Sequence, residues 1–280
     1  MTPTAVLFPG QGSLTSDAGD HARAVCPDLV NQAIELVGSD PFERAHESTE
    51  FAQPAIFLAS IAGWRENDVA DVFAMAGHSL GELSALAAAG AVAVEDALRL
   101  VVLRGRLMQV AAVEHGADGG MVALLGGDAE DAERLAADHG LAIANDNAPG
   151  QLVLSGHTSQ IEALTHAARD AGFKAMVLDV AGAFHSPAVA SAREPFLEEL
   201  RATDWSDPSV PVVSGVTAAP FTDFAQQLAD ALIAPVRWRE VMVALSEMGA
   251  RDFVDVGPGR VLARLVPRNL PTLKAHALAG

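Results

Sequence analysis

One serine lies in a pattern that favours nucleophilic chemistry. Ser79 is the third residue of Gly77-His-Ser-Leu-Gly81, the Gly-x-Ser-x-Gly form of a nucleophile elbow. Small residues on both sides of such a serine let a strand and a helix pack closely through a strained turn, which exposes the hydroxyl. The N–H groups that open the helix, beginning with that of Leu80, can stabilise an oxyanion. The same short pattern also occurs in plain strand–turn–helix units, so the rest of the chain must decide between the two interpretations.

The segment Ala183-Phe-His-Ser-Pro187 contains the histidine that best fits the role of a base. A serine nucleophile needs a base to take its proton and hydrogen-bond donors to hold the oxyanion. His185 lies in a loop bounded by glycine and proline, and we expect this loop to meet Ser79. The N–H groups of Leu80 and of the loop around Gln11 are then the candidate oxyanion donors.

A long helix is predicted from Val94 to about His115, and one arginine falls on its apolar row. The row has the i, i+3, i+4 spacing of a buried face and consists of Ala97, Leu100, Val101, Met108 and Ala111. Arg104 lies on this row, whereas Arg106 lies off it and is expected to face solvent. A buried guanidinium is costly unless it is paired. Arg104 therefore pairs either with an acid of the chain itself or with a substrate anion, such as the free carboxylate of an acyl group.

The elements that must position these groups alternate between strands and helices. Thr4–Phe8 is predicted as a strand that leads into the loop Pro9-Gly-Gln-Gly-Ser13, and Val72–Ala76 as the buried strand before the elbow. The other elements predicted for this part of the fold are helices over Asp17–Val37 (broken near Pro27) and Glu50–Trp64 (beginning near Gln53-Pro54), an elbow helix closed by Gly90, strands Pro211–Ser214 and Asp252–Val256, and helices ending at Met248 and beginning at Arg260.

Residues 120 to 180 have a different order of elements. The predicted strands are Met121–Leu125, Leu141–Ala144, Gln151–Ser155 and Phe173–Asp179, and the predicted helices are Asp128–Asp138 and Thr158–Ala171. This β-α-β-β-α-β order is that of a ferredoxin-like unit. Glycines flank it, with Gly116, Gly119 and Gly120 before it and Gly182 after it. We therefore expect a larger α/β domain formed by residues 1–117 and 183–280, interrupted by a ferredoxin-like domain at residues 118–182.

Composition restricts the classes of function. Half of the 280 residues are hydrophobic and 19% are charged, which provides for a sizeable core. No apolar run approaches the roughly 20 residues that span a bilayer, and the first residues have no basic region typical of a signal peptide. The net charge of −18 argues against binding to nucleic acid or to an anionic membrane. Cys26 is the single cysteine, so we expect no disulfide framework and a cytoplasmic location.

The charge is uneven along the chain. From Arg237 to the end there are seven Lys or Arg residues and four acids, although the chain as a whole is acidic. The excess of basic residues fits either solvated helix faces or a basic patch that binds an acidic partner or a phosphorylated ligand.

Many short segments occur in an order that is typical of one family. They are Phe8-Pro-Gly-Gln-Gly-Ser13, Gln53-Pro-Ala55, Gly77-His-Ser-Leu-Gly-Glu82, Arg104-Gly105 with Met108, Asn147-Ala-Pro-Gly-Gln151, Ser155-Gly156, Ala183-Phe-His-Ser-Pro187, Pro235-Val-Arg-Trp238 and Val256-Gly-Pro-Gly259. Together they resemble the malonyl-CoA:acyl carrier protein transacylases and the acyltransferase domains of polyketide synthases. The resemblance covers nearly the whole chain, and it implies an α/β-hydrolase-like large domain with a ferredoxin-like insert.

The resemblance also implies roles for individual residues. Ser79 would take the malonyl group from coenzyme A, and His185 would activate it and protonate the leaving thiolate. Arg104 would pair with the malonyl carboxylate, and the N–H groups of Gln11 and Leu80 would form the oxyanion hole.

Further residues of the site follow from the same resemblance. Phe184 and Met108 are expected to contact the substrate, and the ring of Phe184 would crowd a 2-methyl branch, so malonyl is expected over methylmalonyl. A backbone carbonyl near Ala231 would orient the base. No triad acid is then required, and Asp255 is expected to bond nearby backbone at the end of its strand.

The resemblance implies malonyl-CoA and a holo acyl carrier protein as the two substrates, with no cofactor and no metal. We expect a monomer, with the basic C-terminal residues as the docking surface for the acidic carrier protein. Leu14 and Val189 depart from residues that are frequent in the family, and the region between Leu14 and Gln53 is short. These departures keep open a discrete polyketide acyltransferase or the malonyl-transfer subunit of a malonate decarboxylase.

Two further hypotheses place the chain in other classes of function. A serine thioesterase or acyl hydrolase would let water attack the same acyl-enzyme, but it has no use for a buried cation such as Arg104. An inactive docking module would lack at least one of Ser79, His185 and Arg104, and all three are present.

Overall fold

The computed structural model describes residues 2–114, 118–180 and 182–277. The first part contains β1 (Thr4–Phe8), α1 (Ala18–Val25), α2 (Pro27–Val37), α3 (Pro41–Arg44), α4 (Thr49–Glu66), β2 (Val72–Gly77), α5 (Gly81–Ala88) and α6 (Val94–Glu114). The middle part contains β3 (Gly119–Leu125), α7 (Ala129–Asp138), β4 (Ala142–Ala148), β5 (Gln151–His157), α8 (Thr158–Asp170) and β6 (Lys174–Val177). The last part contains a 3₁₀ segment (Pro187–Ala192), α9 (Arg193–Ala202), β7 (Val212–Val213), α10 (Phe224–Asp230), α11 (Trp238–Met248), β8 (Asp252–Asp255), α12 (Val261–Asn269) and β9 (Lys274–Ala277).

The larger sheet is parallel, with the strand order β7-β2-β1-β8-β9. Its central strand β1 is fully buried, as expected for a parallel sheet that is covered on both faces. Phe8 at the end of β1 is paired with Gly77 at the end of β2. Because the carboxyl ends of parallel strands meet at one edge, the loop after β1 and the elbow after β2 become neighbours there.

Two glycines make the elbow possible. A Cβ on Gly77 would overlap the backbone of Gly81, and a Cβ on Gly81 would overlap the carbonyl of Phe8. Strand β2, helix α5 and strand β1 therefore approach one another more closely than any other residue type would allow. The sequence pattern around Ser79 thus forms the strand–turn–helix that it predicts.

The second sheet is antiparallel, with the order β4-β5-β3-β6. Helices α7 and α8 share a hydrophobic cluster with one face of this sheet, whereas Met121, Ala123 and Val153 join the main core on the other. A backbone bridge between Asn145 and Val236 and an ion pair from Arg239 to Asp146 (2.7 Å) connect the sheet to the C-terminal part of the chain. The molecule is thus an α/β fold with two sheets.

Most predicted elements form within a few residues of their expected bounds, and one start is wrong. Helix α4 begins at Thr49, four residues before Gln53, and contains Pro54 inside it. A proline inside a helix removes one backbone hydrogen bond, and the packing of the many buried residues of α4 offsets this cost. Elements that the sequence did not predict are α3, the 3₁₀ segment, α9, α10 and β9.

Several predicted features fall on residues that the structure does not describe. They are the helix end at His115, the glycine at Gly116, the boundary at residue 117 and the chain end at residue 280. In the described ranges, no helix combines the length and the apolar character that a membrane crossing requires.

Candidate active site

Ser79 lies at the turn between β2 and α5, and its hydroxyl contacts two buried side chains. Its φ of 54° is in the left-handed region, as expected for the strained turn of an elbow. Oγ lies 2.8 Å from Nε2 of His185, and Nη2 of Arg104 donates to it at 3.1 Å. The structure therefore brings together the serine, the histidine and the arginine that the sequence singled out.

His185 lies in the loop that follows the antiparallel sheet, and it is 5% exposed. Its Nδ1 is 3.1 Å from the carbonyl oxygen of Ala234. A carbonyl can only accept, so Nδ1 carries the proton and Nε2 is left to accept the proton of Ser79. The carbonyl that orients the imidazole is thus that of Ala234, three residues from Ala231, near which it was expected.

Burial keeps His185 neutral. It lowers the pKa of His185 to about 3, and the positive charge of Arg104 and the neighbouring His78 act in the same direction. Hydrogen bonding to the carbonyls of Ala234 and Ala231 opposes the shift only in part. A neutral imidazole can accept a proton, so His185 has the form that a general base needs.

Arg104 lies on α6 and is 3% exposed. Its Nη1 donates to Oε1 of Gln53 at 2.7 Å, and among the described residues it has no carboxylate within ion-pair distance. Burial lowers its pKa to about 10, an effect that Glu82 partly offsets, so the guanidinium remains charged at neutral pH. Arg106 is exposed and contacts Glu50, as expected for a residue off the apolar row.

A cavity of about 340 Å³ lies above these groups. All seven site residues predicted from the sequence line it: Gln11, Ser79, Leu80, Arg104, Met108, Phe184 and His185. Among the described residues, the N–H groups of Gln11 and Leu80 have no protein acceptor. The cavity therefore combines a hydroxyl, a base, free N–H donors and a fixed cation, which is the set needed to handle an anionic acyl group.

Other residues of the cavity were not predicted as site residues. They are Gly12, Gln53, His78, Met121, Asn145, Leu178, Asp179 and Val180. Gln53 links Arg104 to Thr49 and Met108, since its Nε2 lies 2.9 Å from Thr49 Oγ1 and 3.4 Å from Met108 Sδ. The Gln-Pro-Ala segment was a signal for Gln53, but no local pattern indicated that its amide would hold an arginine 51 residues away.

Asp255 lies outside this constellation. Its Oδ2 accepts from the N–H groups of Leu262 and Ala263 at 2.9 and 3.0 Å, at the start of α12. Burial raises its pKa to about 6. This confirms the expectation that Asp255 bonds nearby backbone. Within the described ranges, no group of three or more His, Cys, Asp or Glu side chains is arranged to hold a metal ion.

Comparison with known proteins decides the family. Residues 28–280 match the model of the acyl transferase domain. The chain belongs to this family. The acyl transferase is 38% identical to the malonyl CoA-acyl carrier protein transacylase of Bacillus subtilis, over 100% of this chain and 94% of that protein.

Two further similarities extend this result. The acyl transferase is 39% identical to the polyketide biosynthesis protein ThaF of Burkholderia thailandensis, over 95% of this chain but only 24% of that longer protein. A solved structure of a type II polyketide synthase acyl-carrier protein in complex with its malonyl-transacylase superposes with a TM-score of 0.90 and 32% identity, covering 99% of this chain and 96% of the other. The similarity therefore includes a malonyl CoA-acyl carrier protein transacylase and proteins of polyketide biosynthesis.

Proposed function

We propose that this acyl transferase moves a malonyl group from malonyl-CoA to the phosphopantetheine thiol of an acyl carrier protein. The observation that carries the proposal is the guanidinium of Arg104, buried beside the Ser79 hydroxyl at 3.1 Å without a carboxylate partner among the described residues. A buried cation at this position is stabilised when a substrate supplies the missing anion, and the free carboxylate of a malonyl group does so.

In the first half-reaction Ser79 attacks the thioester carbonyl of malonyl-CoA. Its proton passes from Oγ to Nε2 of His185, and the developing oxyanion accepts hydrogen bonds from the N–H groups of Gln11 and Leu80. When the tetrahedral intermediate collapses, the bond to sulfur breaks, and the thiolate of coenzyme A takes the proton from His185. A malonyl-Ser79 ester remains.

The second half-reaction runs the same steps in reverse with a different thiol. The phosphopantetheine thiol gives its proton to His185 and attacks the ester carbonyl, and Ser79 leaves with the proton returned to Oγ. Arg104 holds the malonyl carboxylate in both halves, so the acyl group has a fixed orientation for each thiol. Apolar residues of the cavity, including Phe184 and Met108, contact the acyl chain and disfavour a 2-methyl branch.

The proposal includes the finer description of the fold. Residues 1–117 and 183–280 form an α/β-hydrolase-like domain, and residues 118–182 form a ferredoxin-like insert. The β-α-β-β-α-β sequence of elements and the sheet order β4-β5-β3-β6 support the insert. The parallel sheet with a serine elbow after β2 supports the larger domain.

The proposal also includes a cytoplasmic monomer that binds the carrier protein through basic C-terminal residues. The buried free thiol of Cys26 supports a reducing compartment. Arg237 and Arg239 already pair with Glu240 and Asp146. The carrier protein would therefore rely more on the other basic residues of this region.

The experiment that tests this function is intact-mass spectrometry of the protein mixed with malonyl-CoA, acetyl-CoA or methylmalonyl-CoA. We expect a malonyl adduct in the wild type, none in Ser79→Ala, and little adduct from the other two thioesters. Holo acyl carrier protein should discharge the adduct faster than water does. Steady release of coenzyme A without an adduct and without carrier protein would instead identify a hydrolase.

A further inference from the structure

Glu82 is a buried acid beside the active site to which the proposed reaction assigns no role. It lies in the first turn of α5, three residues after Ser79, and is 1% exposed. Its Oε1 accepts a hydrogen bond from the N–H of Gly215 at 2.7 Å. The two residues are 133 positions apart, so this bond ties the helix of the nucleophile to the loop after β7.

The loop after β7 is in turn bonded to the segment that orients the base. The carbonyl of Gly215 accepts from the N–H of Arg237 at 2.8 Å. Arg237 follows Ala234 by three residues, and Pro235 between them restricts the backbone. The carbonyl of Ala234 accepts from Nδ1 of His185.

These bonds form a closed circuit around the site. It runs from Ser79 through Glu82, Gly215 and the Ala234–Arg237 segment to His185, and the contact between His185 and Ser79 closes it. Ser79 lies in the turn directly before helix α5, and the Ala234–Arg237 segment orients His185. The Glu82 carboxyl group joins helix α5 to the loop after β7, and that loop is bonded to the Ala234–Arg237 segment.

Burial of a carboxyl group costs free energy, and an apolar side chain would fill the same space without that cost. Burial raises the pKa of Glu82 to about 7, and the hydrogen bond from Gly215 and the charge of Arg104 act against this shift. The hydrogen bond from Gly215 joins Glu82 to this circuit, and the side chain of Ser214 in the same loop also hydrogen-bonds to the carboxyl group.

We propose that Glu82 is a positioning residue that holds the Ala234 carbonyl, and through it His185, at the distance from Ser79 that proton transfer requires. The inference rests on the proposed roles of Ser79 and His185. Glu82 itself touches neither the substrate nor the reacting atoms.

A different role for Glu82 would be to balance the charge of Arg104, and two substitutions separate the two roles. Glu82→Gln keeps the length of the side chain and the accepting oxygen but removes the charge. Glu82→Asp keeps the charge but is one methylene shorter and does not reach Gly215 in the same geometry. Positioning predicts that the Gln variant stays active and the Asp variant is slow, whereas charge balance predicts the reverse.

The test is the rate at which a small fluorophosphonate labels Ser79, followed by intact mass. In this reaction the Oγ–P bond forms, the P–F bond breaks, His185 takes the serine proton, and fluoride leaves. The probe contains neither coenzyme A nor a carboxylate, so its rate reports the reactivity of Ser79 without any contribution from binding coenzyme A or the malonyl carboxylate. Ser84→Ala is the matched control, because Ser84 is buried on the same helix and its hydroxyl has no partner in the described structure.

We expect Glu82→Gln and Ser84→Ala to react within about threefold of the wild-type rate. Glu82→Asp and a third variant, Glu82→Ala, should react at least about tenfold more slowly, because small misplacements of reacting groups slow a reaction by up to about a hundredfold. In malonyl transfer the same variants should lose kcat with little change in KM. If Glu82→Ala does not fold, as judged by near-UV circular dichroism, the Gln and Asp variants still decide between the two roles.

Two results from the Glu82 variants would overturn the proposal. A slow Gln variant beside a normal Asp variant would assign Glu82 to charge balance, and normal rates in all folded variants would leave it without a role in the reaction. A wild type that labels Ser79 but transfers no malonyl group would contradict the proposed function and leave this inference standing. A wild type that does not label would contradict the dyad and this inference with it.

Discussion

Ser79 and His185 meet with a distance of 2.8 Å between Oγ and Nε2, and both residues have a backbone in the left-handed region, with φ of 54° and 56°. Neither is a glycine, and such a conformation costs on the order of 1–3 kcal/mol for each residue. The surrounding structure must therefore hold both turns in place. The close packing of the elbow glycines and the hydrogen bond from His185 to Ala234 supply this constraint.

Gly77→Ala should destabilise the protein and abolish labelling of Ser79. The new Cβ would overlap the backbone of Gly81, which cannot rotate away as a flexible side chain could. We expect a loss of about 3 kcal/mol in the free energy of unfolding, as for severe overpacking, measured by urea denaturation. In the control Gly120→Ala the Cβ meets only the tip of Ile161, at 3.2 Å. Equal stability of the two variants would contradict the close approach at the elbow.

Arg104→Ala should lose malonyl transfer selectively. Breaking a buried charge pair costs about 3–5 kcal/mol, so acylation by malonyl-CoA should fall by about a hundredfold or more, whereas the slow reaction with acetyl-CoA should not fall with it. The measurement is the rate of adduct formation with each thioester. Arg106→Ala is the control, since Arg106 is exposed two residues further along the same helix. An unchanged preference for malonyl-CoA in Arg104→Ala would remove Arg104 from the proposed mechanism.

The rate at which a fluorophosphonate labels Ser79 should stay level between pH 5 and pH 8. The base acts in its neutral form, and burial lowers the pKa of His185 to about 3, so the imidazole remains unprotonated throughout this range. Arg104→Gln should raise this pKa, because it removes a positive charge that disfavours protonation. A fall in the wild-type rate centred near pH 6.5 would show that His185 titrates as an exposed histidine does.

Glu82→Gln should become more stable relative to the wild type as the pH rises. Burial raises the pKa of Glu82 in the folded state to about 7 from its ordinary value of 4.5, so the folded state binds more protons between these two pH values. Below about pH 4.5 the carboxyl group is protonated in the folded and unfolded states, and it does not lower the free energy of unfolding. Above pH 7 its ionisation lowers the free energy of unfolding by about 3 kcal/mol, at 1.36 kcal/mol for each pKa unit. Urea denaturation at pH 5 and pH 8 measures the difference. If the free energies of unfolding of Glu82→Gln and the wild type differ equally at both pH values, the pKa of Glu82 is not raised.

Local sequence patterns determined much of this protein. The continuous apolar run from Val72 to Ala76 and the glycines around Ser79 predicted a strand, a turn and a helix, because each depends on neighbours in the chain. The spacing of apolar residues on α6 placed Arg104 on a buried face, and the structure confirms its burial. The β-α-β-β-α-β order was predicted in the same way, and the order of the segments indicated the family.

The tertiary structure decided which groups meet. The sequence left open whether an acid of the chain pairs with Arg104; in the structure its partner is the amide of Gln53. It also presents the carbonyl of Ala234 to His185, and it joins Glu82 to Gly215. Each of these contacts links residues that are far apart in the chain. They depend on how helices and sheets pack, and no local periodicity encodes that packing.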